Sequence, residues 1–163
     1  MTVKCFKLAT QSLAVLLSGM ATPGFAENAL YGAPVTVEQA RQAAQAAATE
    51  MRHRNLAMTI AVVDSGSNLV YLERANQAGI GTVEAAIGKA RTANGTKSPT
   101  KGVEDAILNG NRINLLGVPG ILPIEGGVPL IVDNRIIGAI GASGGPSTDD
   151  GAVANAGAKA LLP

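Results

Sequence analysis

Two apolar, β-branched runs separated by a short polar segment most strongly constrain how this chain can fold. The runs occupy residues 128–132 and 136–140, with Asp133 and Asn134 between them. Asp and Asn tolerate the positive φ angles that a two-residue hairpin turn requires. The pattern therefore predicts a β-hairpin near the C-terminal end of the chain.

Glycine recurs in the second strand of this predicted hairpin and directly after it, at Gly138, Gly141, Gly144 and Gly145. Glycine weakens a strand, so its repetition indicates a bulge or the close approach of a backbone or ligand. A helix is predicted to begin near residue 148, and helix N-termini attract anions. We therefore expect this strand end to hold a small, anionic ligand.

The first 26 residues have the order of features that a secretory signal peptide requires. Lys4 and Lys7 precede an apolar core at residues 13–17, and residues 24–26 place small side chains at the cleavage positions. We expect cleavage after Ala26 and a periplasmic or secreted protein, the alternative being an uncleaved N-terminal helix. The apolar core is too short for a stable membrane anchor, so no anchor is expected after cleavage.

Cleavage would also remove Cys5, the only cysteine. Removing 26 of the 163 residues leaves 137 residues, 27–163, which suit a single domain without a disulfide or a cysteine-based metal site.

Loss of Lys4 and Lys7 takes the formal net charge from +1 to −1, and no basic run is present. Nucleic-acid binding is therefore not expected. A core rich in alanine and glycine buries little area per side chain, which favours a homo-oligomer.

The remaining periodicity predicts an α+β domain. Thr36 and Gln39 form a capping box for a helix that runs to about residue 55. Further helices are predicted at 82–94, stopped by Gly95, at 98–108 and at 148–161; strands are predicted at 57–64, 69–74 and near 122–125, in addition to the hairpin. Because hairpin-connected strands are antiparallel, we expect a five-stranded, mostly antiparallel sheet with helices packed on it.

Five short motifs occur along the chain in order. They are Ala-Val-Val-Asp-x-Gly at 61–66, Lys-Ala-x-Thr-Ala at 89–93, Ser-Pro-Thr at 98–100, Gly-Gly-Val-Pro at 126–129 and Gly-Ala-Ile-Gly-x-Ser-Gly at 138–144. Together, and over residues 35–161, they resemble the GlcG/HbpS-type haem-binding family, once labelled haem-degrading. The resemblance implies a profilin-like fold that self-associates and binds haem, or a related small molecule, in a pocket at a subunit surface.

Cationic and hydroxyl side chains in or near these motifs are the candidate ligand contacts. Lys89 could pair with a propionate or substrate carboxylate, with Thr92 on the same helix face; alternatively it packs over the sheet or bonds a strand end. Arg74 at a strand end suits carboxylate binding, the alternative being a surface ion pair. Thr100 could enter the pocket or cap a short helix. The remaining predicted pocket residues are Gly126, Gly127, Ser143 and Gly144.

His53 is the only histidine, and neutral imidazole is a common haem-iron ligand. It lies between Arg52 and Arg54 near the end of the first predicted helix, where a solvated histidine interacts favourably with the helix dipole. We expect that surface role ahead of iron ligation, although His53 stays the candidate metal ligand. Without it, the ligands are Tyr31, Tyr71, a methionine, a lysine or none.

The family resemblance and the export pattern together imply two candidate functions. The first is an exported haem-binding protein for storage or sensing, with non-covalent binding at a pocket between subunits. The alternative is a small lyase or isomerase for a carboxylated aromatic or hydroxy acid, with Arg74 or Lys89 holding the carboxylate and an acidic residue transferring the proton. The export signal favours binding, whereas two Phe, two Tyr and no Trp are unusually few aromatic residues for a haem pocket. The sequence assigns no catalytic residue.

Overall fold

The structure is a computed structural model that describes residues 29–162. The predicted signal peptide, residues 1–26, lies outside the described residues. The α-helices are α1 (Val37–His53), α2 (Thr82–Thr96), α3 (Thr100–Leu108) and α4 (Ser147–Lys159), and a 3-10 helix spans Ile113–Gly117. The strands are β1 (Leu30–Tyr31), β2 (Thr59–Asp64), β3 (Leu69–Arg74), β4 (Gly127–Val132) and β5 (Arg135–Ser143).

Strand β5 is the centre of the sheet. It pairs antiparallel with β4 and with β2, and β2 pairs antiparallel with β3. The short β1 pairs in parallel with Arg135 and Ile136 at the start of β5. Three antiparallel pairings and one parallel pairing confirm the expected α+β fold with a five-stranded, mostly antiparallel sheet.

The predicted β-hairpin forms from β4 and β5. Asp133 and Asn134 have φ angles of 49° and 57°, the positive values that the turn requires. Leu130, Ile136 and Ile140 beside the turn have no solvent exposure. The hairpin therefore supplies both a chain reversal and part of the core.

The sheet is covered on both faces. Ile60 and Val62 of β2 belong to the core cluster that contains α1 and α4, whereas Ala61 and Val63 pack with residues of α2. Successive strand residues point to opposite faces, so α1 and α4 lie on one face and α2 on the other. The result is a three-layer domain with the sheet in the middle.

The predicted capping box starts α1. The Gln39 N–H donates to Thr36 Oγ1 at 3.2 Å, and the Thr36 N–H donates to Gln39 Oε1 at 3.0 Å. Both bonds satisfy amides that a helix N-terminus leaves without intrahelical partners. The structure thus confirms this helix start, while α1 ends at His53 rather than near residue 55.

Two local predictions were wrong. No strand forms near residues 122–125, where Pro123 lacks an amide hydrogen, and the fifth strand is β1 instead. Gly95 does not stop α2, because the helix continues to Thr96 and the left-handed residue that follows is Lys97, with φ of 56°. The Lys97 N–H bonds the carbonyls of α2 and so ends the helix without glycine.

Candidate functional site

The most deeply buried charged groups described are Lys89 on α2 and Asp150 on α4. Lys89 Nζ lies 2.6 Å from Asp150 Oδ2, and the two side chains are only 3% and 4% exposed. Lys89 Nζ also donates to the Ala142 carbonyl at 3.3 Å, while Asp150 Oδ1 accepts from the Gly145 N–H at 3.0 Å. The ion pair therefore joins helices from opposite faces of the sheet at the glycine-rich end of β5.

Gly126 and Gly127 leave the space that this contact requires. A Cβ on Gly127 would overlap the Lys89 carbonyl oxygen, and one on Gly126 would lie 2.8 Å from Asp150 Cβ. Gly126 also has φ of 129°, a conformation that other residues rarely adopt. The two glycines at the start of β4 thus let α2 and α4 approach the strand closely.

Thr100 and Thr92 are buried hydroxyl side chains that bond backbone groups at the start of β4 and in the segment before it. Thr100 Oγ1 accepts from the Gly127 N–H at 2.9 Å, and Thr92 Oγ1 accepts from the Leu122 N–H at 2.8 Å. The Thr100 hydroxyl does not cap α3, whose N-terminus has no side-chain cap. Lys89 and Thr100 therefore meet at Gly127, and Thr92 follows Lys89 by three positions on α2. All three have protein groups as partners, and their role as ligand contacts stays a prediction.

Arg74, Ser143 and Gly144 lie at the end of the sheet where β5 finishes. Arg74 and Ser143 each stand opposite Thr59 in register, one strand to either side of it. Ser143 is buried, whereas Arg74 is exposed. Gly144 has φ of 146°, and a Cβ there would lie 2.7 Å from the Ala57 carbonyl oxygen. The structure thus gathers three predicted pocket residues at one sheet end, and their contact with a ligand stays a prediction.

His53 is the last residue of α1 and is exposed. Between residues 29 and 162, no three or more His, Cys, Asp or Glu side chains cluster in a way that could hold a metal ion. The position of His53 is the helix end that its sequence context predicts. Ligation of haem iron by this residue stays a prediction.

A cleft of about 380 Å³ lies where the end of α2 meets α3 and the 3-10 helix. Its walls combine hydroxyl, apolar and cationic side chains, namely Thr96, Ser98, Gly102, Val103, Ala106, Arg112, Leu115 and Ile121. The sequence motifs do not indicate this cleft, because three of its lining residues, Arg112, Leu115 and Ile121, lie in a segment whose sequence is typical of turns and loops. Among the lining residues, only Ser98 belongs to one of the sequence motifs, the Ser-Pro-Thr motif.

Glu125 precedes β4 and is partly buried near a group of charges on α3. Burial raises the pKa of its carboxyl above the ordinary value of 4.5; the Lys101 ammonium opposes this shift, and Glu104 and Asp105 reinforce it. Its carboxylate lies against Gly151 of α4, where a Cβ would overlap it. A carboxyl that holds its proton more tightly than usual is suited to proton transfer.

Fold and site together define a class: a small three-layer α+β domain whose glycine-rich sheet end is closed by a buried ion pair. Residues 35–159 match the sequence profile of the family described as "Haem degrading protein HbpS-like". The chain therefore belongs to the HbpS-like family. No helix among the described residues is long and apolar enough to cross a membrane.

Individual relatives agree with this membership. The chain is 38% identical to Protein GlcG of Escherichia coli K12 over 94 residues, which cover 58% of this chain and 69% of GlcG. The crystal structure of HbpS superposes with a TM-score of 0.75 at 30% identity, covering 80% of this chain and 92% of HbpS. A structure of a PduOC:heme complex shows the same fold. It superposes with a TM-score of 0.71 at 23% identity, covering 78% of this chain and 95% of that chain.

Proposed function

We propose that this protein is an exported haem-binding protein that stores or senses haem, held non-covalently in a pocket completed by a second copy of the chain. The main support for haem binding is membership of a family named for haem, together with a cleft flanked by exposed apolar side chains. Export rests on the signal-peptide pattern of residues 1–26.

The cleft of a single chain fits part of a haem group. Its apolar wall suits the edge of a porphyrin, and Arg112 suits a propionate carboxylate. Its volume of about 380 Å³ lies at the lower end of the roughly 300–1,000 Å³ range of small-molecule pockets. None of the cleft-lining residues is a His, Cys, Met or Tyr, the usual axial ligands of haem iron. In this proposal the cleft recognises the porphyrin, and any protein ligand to the iron comes from outside it.

Exposed apolar side chains beside the cleft support completion of the pocket by a second chain. Leu108 ends α3, and Ile113 and Leu116 lie on the 3-10 helix; their exposed fractions are 72%, 67% and 57%. Val118 follows the same helix and is also exposed. Contiguous exposed apolar groups favour association, and burying them around a cleft enlarges the apolar surface offered to a flat ligand.

A haemin titration followed by absorbance tests this function. The expected result is a saturable Soret shift at a defined ratio of haemin to chain. The His53→Ala variant, measured alongside, is expected to give the same spectrum, because His53 is exposed at a helix end. Loss of the shifted band in that variant would instead assign the iron to His53. Absence of any saturable shift in the wild-type protein would refute haem binding.

The alternative, a small lyase or isomerase, is favoured by one observation, the raised pKa of Glu125. Such a carboxyl could exchange a proton with a carboxylated aromatic or hydroxy acid held nearby. In that case, ligands found by thermal-shift screening of such acids would be turned over by the wild-type protein and not by Glu125→Gln. Ligand binding without turnover would reject the enzyme.

A further inference from the structure

We propose that the cleft between α2, α3 and the 3-10 helix is a binding site for a carboxylate carried on a compact apolar body. Arg112 binds the carboxylate, and the apolar wall covers the body. This inference adds Arg112, a residue that lies outside the sequence motifs, as the group that binds the carboxylate. It rests on the proposed function only where the carboxylate is a haem propionate.

The chain path places Arg112 beside its own preceding helix. Asn111 adopts the left-handed conformation, with φ of 53°, and the Arg112 N–H then donates to the Ala106 carbonyl at 3.0 Å. This bond closes the end of α3 and fixes the arginine backbone at the cleft. The backbone of Arg112 is therefore held in place at the cleft, whereas its side chain is exposed to solvent.

Arg112 has no ion-pair partner among the described residues. The acids of the adjacent helix α3 are Glu104 and Asp105, and both have other contacts. Asp105 pairs with Lys101, and Glu104 accepts from the Glu125 N–H at 3.3 Å. A guanidinium offers several N–H donors in a planar arrangement that matches a carboxylate. An external carboxylate can therefore bind Arg112 without breaking an existing ion pair.

The rest of the cleft lining consists of two hydroxyl side chains, a glycine and four apolar side chains. Ser98 Oγ donates to Thr96 Oγ1 at 3.2 Å, and Thr96 Oγ1 donates to the Thr92 carbonyl at 2.8 Å, so both hydroxyl hydrogens are engaged within the protein. Arg112 is consequently the main donor available to an anion. The lining residues Val103, Ala106, Leu115 and Ile121 are apolar.

The cleft volume of about 380 Å³ suits a monocyclic or short aliphatic acid, or one edge of a porphyrin with its propionate. These two sources share one chemistry, a carboxylate joined to an apolar group. They differ in whether the carboxylate belongs to haem or to a free small acid. Two matched pairs of probes separate them: haemin with haemin dimethyl ester, and benzoate with benzamide.

The test measures the Kd of each probe for the wild-type protein, for Arg112→Gln and for the control Arg52→Gln. Arg52 is an exposed arginine in the last turn of α1. Removing a charge-assisted hydrogen bond is expected to weaken carboxylate binding by about tenfold to a hundredfold. The ester and the amide are expected to bind wild type and Arg112→Gln alike, and Arg52→Gln is expected to match wild type throughout.

The outcomes are distinct. Weaker haemin binding in Arg112→Gln, without weaker ester binding, supports the proposal with a haem propionate as ligand. Loss of benzoate binding alone supports it with a free acid as ligand, even if haemin does not bind and the proposed function fails. If haemin binds wild type and Arg112→Gln equally and benzoate shows no dependence on Arg112, the proposal is overturned while haem binding stands.

Discussion

Replacing Asp150 with Asn should destabilise the fold strongly. The substitution keeps the shape of the side chain but leaves the Lys89 ammonium, which is only 3% exposed, without its counter-charge. Removing one partner of a buried ion pair typically costs about 3–5 kcal/mol, because the remaining charge stays desolvated. Asparagine keeps an oxygen that can accept from Lys89 or from the Gly145 N–H, so we expect a loss of about 3 kcal/mol. Against a typical total stability of about 5–15 kcal/mol, this loss is large.

Urea unfolding followed by circular dichroism measures this change directly. Asp149→Asn is the matched control, since Asp149 is the preceding residue and pairs with Arg54 in a contact where both side chains are about a third exposed. Exposed ion pairs contribute little to stability, so the control should keep nearly the wild-type unfolding midpoint.

The double variant Lys89→Met with Asp150→Leu sharpens the test. Apolar replacement of a whole buried pair is often near neutral, so the double variant should be more stable than Asp150→Asn. Equal midpoints for Asp150→Asn and Asp149→Asn would refute the reasoning that burial makes this pair sensitive to loss of one partner.

Three further predictions concern glycine packing, pH and association. Gly127→Ala should lower the melting temperature, because a Cβ there would overlap the α2 backbone. Gly95→Ala, at an open position of α2, should instead stabilise the fold by about 0.5–1 kcal/mol. Equal effects of the two substitutions on the melting temperature would contradict this packing. Burial raises the pKa of Glu125 above 4.5, so the folded state binds more protons than the unfolded state and loses stability as pH rises through that raised pKa. Glu125→Gln should therefore raise the urea midpoint at neutral pH but not the urea midpoint below pH 4.5. Ile113→Glu with Leu116→Glu should convert an oligomer to a monomer by light scattering, and an unchanged mass would exclude this surface from association.

The parts of the fold that sequence predicts are those fixed by neighbouring residues. The turn at Asp133 and Asn134 and the capping box of Thr36 depend on local backbone chemistry, and both form as expected. Strand β1 has only two residues and exists through pairing with Arg135 and Ile136, about a hundred positions later, which no local pattern encodes. The same reasoning explains why a short apolar run near residue 123 is not a strand, since no neighbouring strand pairs with it.

The sequence predicts which residues belong to the candidate site but not which groups they contact. Lys89 was identified as a carboxylate-binding residue, and the carboxylate it contacts in the structure belongs to Asp150, 61 positions away. Sequence spacing does not show that α2 and α4 meet at the end of β5, so no pattern in the sequence pairs Lys89 with Asp150. Arg112 lay outside every motif, and only the fold brings it to a cleft.

Sedimentation velocity of the protein with haemin, recorded at both the protein and the Soret absorbance, tests the central claim most directly. The claim is that haem binds in a pocket completed by association of two chains. It predicts that Soret absorbance sediments with an oligomer and that the Ile113→Glu, Leu116→Glu variant, sedimenting as a monomer, carries much less haem. Haem carried equally well by the monomeric variant would contradict the shared pocket. Soret absorbance that sediments with no protein species would contradict haem binding itself.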